Sequence, residues 1–382
     1  MNIALVQDGL MCRAGGEQVA LCFHKAFPHA PIFTQCYQPD LTFPEFADCD
    51  IRASWLQSIV KTDDGMKRLF FPLGIWAMQA HDLTEFDVVL MSGTHCAKYV
   101  KVRPDALVIS YSFTPFRLAW HPESYAQYAT STGLGRRLFD AVVSQLRRID
   151  YAAAQRPDYF IAMTDETAGR LRDAYAIRKP IAIINPPVNA GKFYVVAAPK
   201  SYFLVVSRLE YYKKVDLVID AFNQLEYPLV VVGKGLQAEE IKARANQNVT
   251  FMSGLSASEL ADVYANCRAF IFPQHEDYGI TPLEANAAGR PVIAYGAGGV
   301  LATQLPVTAD PAKATALFFE EQTVDSLIDA VQRFERIENQ FDPTFIRNHA
   351  ELFDEGKFIE RIRQFVYDKY ISHTPIYRYQ IN

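Results

Sequence analysis

The chain has 382 residues, more than one hydrophobic core usually supports, so length alone points to two domains. A formal net charge of −5 gives no global pull toward nucleic acid. The six cysteines fall at irregular spacings without a CxxC pair, which argues against a zinc site or a disulfide framework and for buried, reduced thiols.

In chain order, the opening MNIALVQDG reads as strand entry rather than a secretory leader, and no apolar run reaches the ~18 residues of a spanning helix. Short Val-, Ile- and Phe-rich runs recur at 3–6, 86–91, 107–110, 159–162 and 181–184, unbroken by polar alternation, as buried parallel strands are. After Pro186, Pro187 and a polar stretch the series restarts at 202–206, 229–232, 249–252, 270–272 and 292–294. Helix-period segments at 215–225, 238–245 and 258–265 alternate with the later runs, the rhythm of a doubly wound sheet. We therefore expect an α/β protein of two Rossmann-like domains facing a central cleft. Residues 1–190 form the first and 200–358 the second. An amphipathic helix at 355–370, apolar at Phe358, Ile359, Ile362, Phe365 and Val366, closes the chain, with 360–382 packing back on the first domain.

In the first domain, Gly15 and Gly16 open a helix after the first strand, where glycine lets backbone amides approach a phosphate. The spacing does not spell Gly-x-Gly-x-x-Gly, so a dinucleotide site is unsupported. Residues 55–76, with Trp55, Lys61, Lys67, Arg68, Phe70, Phe71 and Trp76, mix aromatic and basic side chains as a membrane-interface segment does, and equally as a packed helix pair does. In the second domain, 230–235 is a strand ending in a tight turn at Gly233. Residues 272–291 read as a buried strand, a loop and a short helix, with Thr281 as N-cap, Pro282 in the first helical position and Glu284 completing a capping box. Free amides at Gly279, Ile280 and Thr281 at a strand's carboxyl end suit a diphosphate.

Glu276 and Glu284, separated by seven residues and followed by Ala-x-Ala-Ala-Gly-Arg-Pro-Val, resemble the signature of the group 1, family 4, glycosyltransferases of GT-B fold. The stretch Val205–Ile219, with Arg208 and Lys213, resembles that family's strand, arginine and lysine, and Gly233 its turn lining the nucleotide base. The resemblance implies a retaining, metal-independent hexosyltransferase that needs no cofactor. Arg208, Lys213 and Glu276 would be catalytic, while Gly15, Gly16, Gly233, Gly279, Ile280, Thr281 and Glu284 would bind a nucleotide-sugar donor. Two cations are what a departing diphosphate requires when no metal is present, and a carboxylate can accept both hydroxyls of a ribose.

His95 and Lys98, with Thr114-Pro-Phe-Arg117, resemble bacterial O-antigen and polysaccharide mannosyltransferases, although Phe113 stands where that subgroup has histidine. This implies GDP-mannose as donor and a polyprenyl-diphosphate-linked glycan as acceptor, with His95, Arg117 and His121 as candidate acceptor or sugar contacts. It further implies a cytoplasmic enzyme, peripheral on the inner face of the membrane. A UDP-sugar donor, a nucleotide-sugar epimerase or hydrolase, and a silent sugar-nucleotide-binding protein are the alternatives.

Overall fold

The computed structural model describes residues 1–62, 65, 70–125, 128 and 130–373, which divide into two compact units. Met1–Pro186 and the chain from Phe358 onward make up the first, and Pro187–Lys357 the second.

The first unit holds β1 (Ile3–Gln7), β2 (Ile32–Thr34), β3 (Ile51–Ala53), β4 (Val88–Gly93), β5 (Leu107–Ser112), β6 (Tyr159–Ala162) and β7 (Ile181–Ile183). They pair in parallel in the order β3-β2-β1-β4-β5-β6-β7. Strands β1, β4 and β5 are buried almost end to end, which is why their sequences are continuous apolar runs rather than alternating ones. Helices α1 (Gly15–Ala26), α2 (Ile75–Gln79), α3 (Arg117–Trp120), α4 (Gly133–Ala154) and α5 (Asp165–Tyr175) lie between strands. The second unit repeats the plan with β8 (Phe203–Val206), β9 (Leu229–Val232), β10 (Val249–Met252), β11 (Phe270–Phe272), β12 (Val292–Tyr295) and β13 (Ala316–Phe319), in the order β10-β9-β8-β11-β12-β13, again parallel. Its helices are α6 (Val215–Leu225), α7 (Ala238–Arg244), α8 (Ala257–Asn266), α9 (Ile280–Ala287), α10 (Val324–Ile337) and α11 (Pro343–Ala350).

Each sheet starts in its middle, grows to one edge, then crosses back beside its first strand. The order therefore reverses between β1 and β4 and between β8 and β11. Helices leave opposite faces at such a switch, so the carboxyl ends of those four strands open the crevice where doubly wound sheets hold ligands.

The closing helix α12 (Glu355–His373) runs slightly past its predicted end. Phe358, Ile362 and Val366, four residues apart, are fully buried, whereas Ile359 and Phe365 are only half-buried. Phe358 stacks on Phe23 at 6.1 Å and meets Tyr111 edge-on at 5.9 Å, and the Arg363 guanidinium donates to the Ala26 carbonyl that ends α1. Burying each apolar side chain contributes about 1.5–3 kcal/mol, so this stripe anchors the chain's return to the first unit. The six cysteines are free thiols, but Cys12 and Cys49 are half-buried rather than buried.

Candidate functional site

At the second unit's switch, β8 ends at Val206 and the chain turns through Ser207, exposed Arg208 and a 3-10 turn at Tyr211–Lys213 before Lys214, in the left-handed region (φ 55°), admits α6. That turn folds the Lys213 side chain inward, leaving the residue 8% exposed. Its ammonium is ion-paired with Glu276 Oε1 on the loop leaving β11. A lysine so buried requires a countercharge, and the paired carboxylate comes from the neighbouring strand across the switch. Tyr212 ties the two predicted cations together. Its hydroxyl accepts from Arg208 Nη2 at 2.5 Å, and its ring lies 5.1 Å from Lys213 Nζ.

Beyond Glu276 the loop reaches Gly279, the N-cap of α9. The helix begins at Ile280, not after Thr281, so the expected capping box is absent: Thr281 and Pro282 occupy the second and third helical positions. Pro282 sits in the first turn, where a missing N–H costs nothing. Relieved of capping, Glu284 turns to the core and its Oε2 accepts the Tyr264 hydroxyl at 2.7 Å. Burial raises the Glu284 carboxyl above its ordinary value, opposed by Tyr264 and by Lys192.

Two glycine sites fix these loops. A Cβ at Gly235 would lie 2.6 Å from the Leu209 carbonyl carbon, and one at Gly233 3.1 Å from that of Ser207, so the β9 exit packs directly on the β8 exit. Gly233 is therefore required by its own backbone neighbours. A Cβ at Gly299 would lie 2.6 Å from Tyr278 Cα, and the Gly299 amide donates to the Glu276 carbonyl at 2.7 Å.

At the first unit's switch the wiring differs. Asp8, just past β1, accepts backbone N–H bonds from Thr94 (2.6 Å), His95 (3.1 Å), Cys96 (2.8 Å) and Ala97 (2.7 Å), gathering the loop after β4 around one carboxylate. Burial alone would raise Asp8, but His95 and these amides hold it well below the usual carboxylate range. His95 Nδ1 lies 2.9 Å from Asp8 Oδ2 and 2.8 Å from Thr94 Oγ1, while its ring stacks on Phe116 at 5.6 Å. Lys98 is committed elsewhere, with Nζ 2.6 Å from the fully buried Asp150 and donating to Tyr175 Oη at 3.0 Å. Trp120 Nε1 and Tyr175 Oη both donate to Asp150 Oδ2 at 2.8 Å, closing a buried network.

Gly15 and Gly16 open α1, and a Cβ at Gly16 would touch the Phe113 ring at 3.4 Å, so the phenyl group lies against Gly16. Arg117 is exposed at the start of α3. His121 is exposed, with Nδ1 3.2 Å from Glu123 Oε1. In 55–76, Trp55, Ile59, Lys61 and Trp76 are exposed, while Lys67 and Arg68 lie outside the described residues.

Asp8, Tyr212, Tyr264 and Gly299 escaped the sequence reading. Asp8 and the Gly298-Gly299 pair each follow a buried strand run, a visible signal. A tyrosine within a helix, such as Tyr264, carries none.

Residues 193–350 match the family described as glycosyl transferases group 1. The O-antigen chain mannosyltransferase C of Escherichia coli is 34% identical over 100 residues, 24% of this chain and 27% of that protein. The D-rhamnosyltransferase WbpZ of Pseudomonas aeruginosa is 28% identical over 170 residues, 41% and 44% of the two chains. The chain thus spans less than half the length of these relatives. Among solved structures, sucrose-phosphate synthase from Thermosynechococcus elongatus aligns over 97% of this chain and all of its own, with a TM-score of 0.75 at 16% identity. Anabaena HepE in complex with UDP aligns over 96% and 100%, with a TM-score of 0.71 at 15% identity. The fold is GT-B: two parallel-sheet, Rossmann-like domains.

Proposed function

We propose that this chain, whose residues 193–350 match the glycosyl transferases group 1 family, transfers a hexose, with retention, from a nucleotide-diphosphate donor to a glycan acceptor. The observation that carries the reading is the partly buried Lys213–Glu276 ion pair, linked through Tyr212 to Arg208, at the switch between β8 and β11.

A departing nucleoside diphosphate gains negative charge as the glycosidic bond breaks. Lys213, Arg208 and the amides opening α9 supply positive charge at fixed positions, where it is worth most in a water-poor site. Glu276 holds the Lys213 ammonium in place until a phosphate competes for it, and is then released to accept hydroxyls of the transferred sugar. Glu284, one turn into α9 and aligned by Tyr264, takes the ribose hydroxyl pair. These cations meet the electrostatic need directly, so metal independence is part of the proposal. The acceptor oxygen attacks from the face the diphosphate leaves, its proton passing to that diphosphate, and the anomeric configuration is retained.

We take the donor to be GDP-mannose and the acceptor a polyprenyl-diphosphate-linked glycan, used by a cytoplasmic enzyme at the inner membrane face. Support comes from relatives named as O-antigen mannosyltransferases and as a GDP-mannose-dependent phosphatidylinositol monomannoside mannosyltransferase.

The test is nucleotide-diphosphate release in EDTA from GDP-mannose, UDP-glucose and UDP-N-acetylglucosamine, with and without lipid-linked glycan extract, followed by anomeric assignment of the product. Acceptor-dependent release from GDP-mannose with an α-linked product is expected. Release without acceptor indicates an epimerase or hydrolase, and binding without release a silent protein; either overturns the proposal.

A further inference from the structure

Two adjacent tyrosines occupy the turn between β8 and α6, and they are used differently. Tyr211 reaches α7, where its hydroxyl donates to Glu240 Oε2 at 3.4 Å. Tyr212 lies over the cations: its oxygen accepts from Arg208 Nη2 at 2.5 Å, and its ring stands 5.1 Å from Lys213 Nζ. A phenol that accepts one hydrogen bond still has a proton of its own to donate. Among the described residues no group accepts that proton, and no carboxylate pairs with Arg208.

The turn that carries these groups is held by its backbone. Leu209 is buried, its N–H donates to the Lys234 carbonyl at 2.9 Å, and its own carbonyl accepts from the Gln237 N–H at 3.0 Å. At the other end the Lys213 N–H donates to the Glu210 carbonyl at 2.8 Å. Tyr212, although 48% exposed, therefore stands on a fixed support between two cations. Donation by a guanidinium into the phenol oxygen polarises its O–H toward a further acceptor. Guanidinium, phenol and ammonium together offer donors and positive charge at the carboxyl end of β8. A ligand that brings only acceptor oxygens and negative charge satisfies all three, whereas a neutral sugar leaves the guanidinium uncompensated.

We infer that Tyr212 is a third ligand of the donor diphosphate, its hydroxyl donating to a phosphoryl oxygen while its oxygen keeps the hydrogen bond from Arg208. This deepens the donor reading and rests on it. The phenol stays protonated throughout and stabilises the leaving group by hydrogen bonding alone.

A nucleoside diphosphate carries the charge of the departed leaving group, so its affinity reports the contacts made to that charge. Isothermal titration of GDP and of UDP into the full chain, continued with whichever binds more tightly, tests the inference. The proteins compared are the wild type, Tyr212→Phe, Arg208→Met, Lys213→Met and the Tyr212→Phe/Arg208→Met double variant. Tyr212→Phe removes one oxygen from an exposed residue, and an unchanged melting temperature checks that folding is retained. The dissociation constant should rise roughly tenfold in Tyr212→Phe. It should rise again by at least about fivefold when Tyr212→Phe is added to Arg208→Met, which cannot bond the phenol. A tyrosine that acts only by holding the guanidinium loses its effect in the Arg208→Met background. That outcome overturns the inference, as does unchanged affinity in Tyr212→Phe while Arg208→Met and Lys213→Met weaken binding; both leave the donor reading intact. Absence of binding by the wild type, or binding unaltered in all three single variants, overturns the donor reading and the inference together.

Discussion

The two units open the same kind of crevice, yet charge is wired differently at each. In the second, Lys213 meets Glu276 across the switch, a pair that an arriving polyanion can exchange. In the first, the charges hold the protein itself: Asp8 gathers four amides and Lys98 is locked to Asp150. Topology provides the crevice twice, and the proposed leaving-group chemistry is assigned to the one where a cation is held by an exchangeable partner.

The comparison predicts opposite consequences for breaking the two ion pairs. Asp150→Ala leaves the buried Lys98 ammonium uncompensated and should cost about 3–5 kcal/mol of folding stability, measurable by chemical denaturation. Donor affinity of the protein that remains folded should be unchanged. A stability loss near zero would remove the contrast between the units.

Gly299→Ala sharpens it from the other side. The added methyl meets Tyr278 Cα and the Asp277 carbonyl, so the Glu276 loop must move. About 1–3 kcal/mol of stability should be lost, and turnover should fall on the order of 10²-fold because the pair with Lys213 is misplaced. Equal turnover in the variant would show that loop position is not limiting.

Smaller effects concern Glu284. Its pKa lies above the ordinary value through burial, so as pH falls it takes up a proton sooner than an exposed glutamate and accepts ribose hydroxyls less well. Donor KM should therefore rise as pH falls toward that raised pKa, and Glu284→Gln should flatten the profile. Tyr264→Phe removes a hydrogen bond that favours the ionised form. It should shift the same limb to higher pH and weaken donor binding by about 1 kcal/mol, roughly fivefold. A pH profile unmoved by Tyr264→Phe would dissociate the tyrosine from Glu284.

Most strands legible in sequence were buried on both faces, with β10, a half-buried edge strand, as the exception. The runs at 159–162, 229–232, 249–252 and 270–272 coincide with β6, β9, β10 and β11. No predicted run covers β2, β3 or β13: β3 carries Arg52 and is only half-buried, whereas β2 and β13 are buried apolar strands that escaped the sequence reading. Helix α4 was also missed, although Val143, Leu146 and Ala153 recur at helical spacing on its buried face. Site residues were visible where a motif carries them, as with Glu276, Glu284, Arg208 and Lys213. Their partners depend on contacts remote in sequence, Tyr264 with Glu284 and Asp8 with the amides of residues 94–97, and local pattern does not report these.

The central claim is that Lys213 neutralises the departing diphosphate, and the most direct measurement is steady-state nucleotide-diphosphate release by the wild type and Lys213→Met in EDTA. Under the present account kcat falls about 10²–10³-fold, while donor KM changes far less and the variant remains folded. Undiminished kcat in the folded variant would contradict the claim and move the leaving-group chemistry away from the Lys213–Glu276 pair.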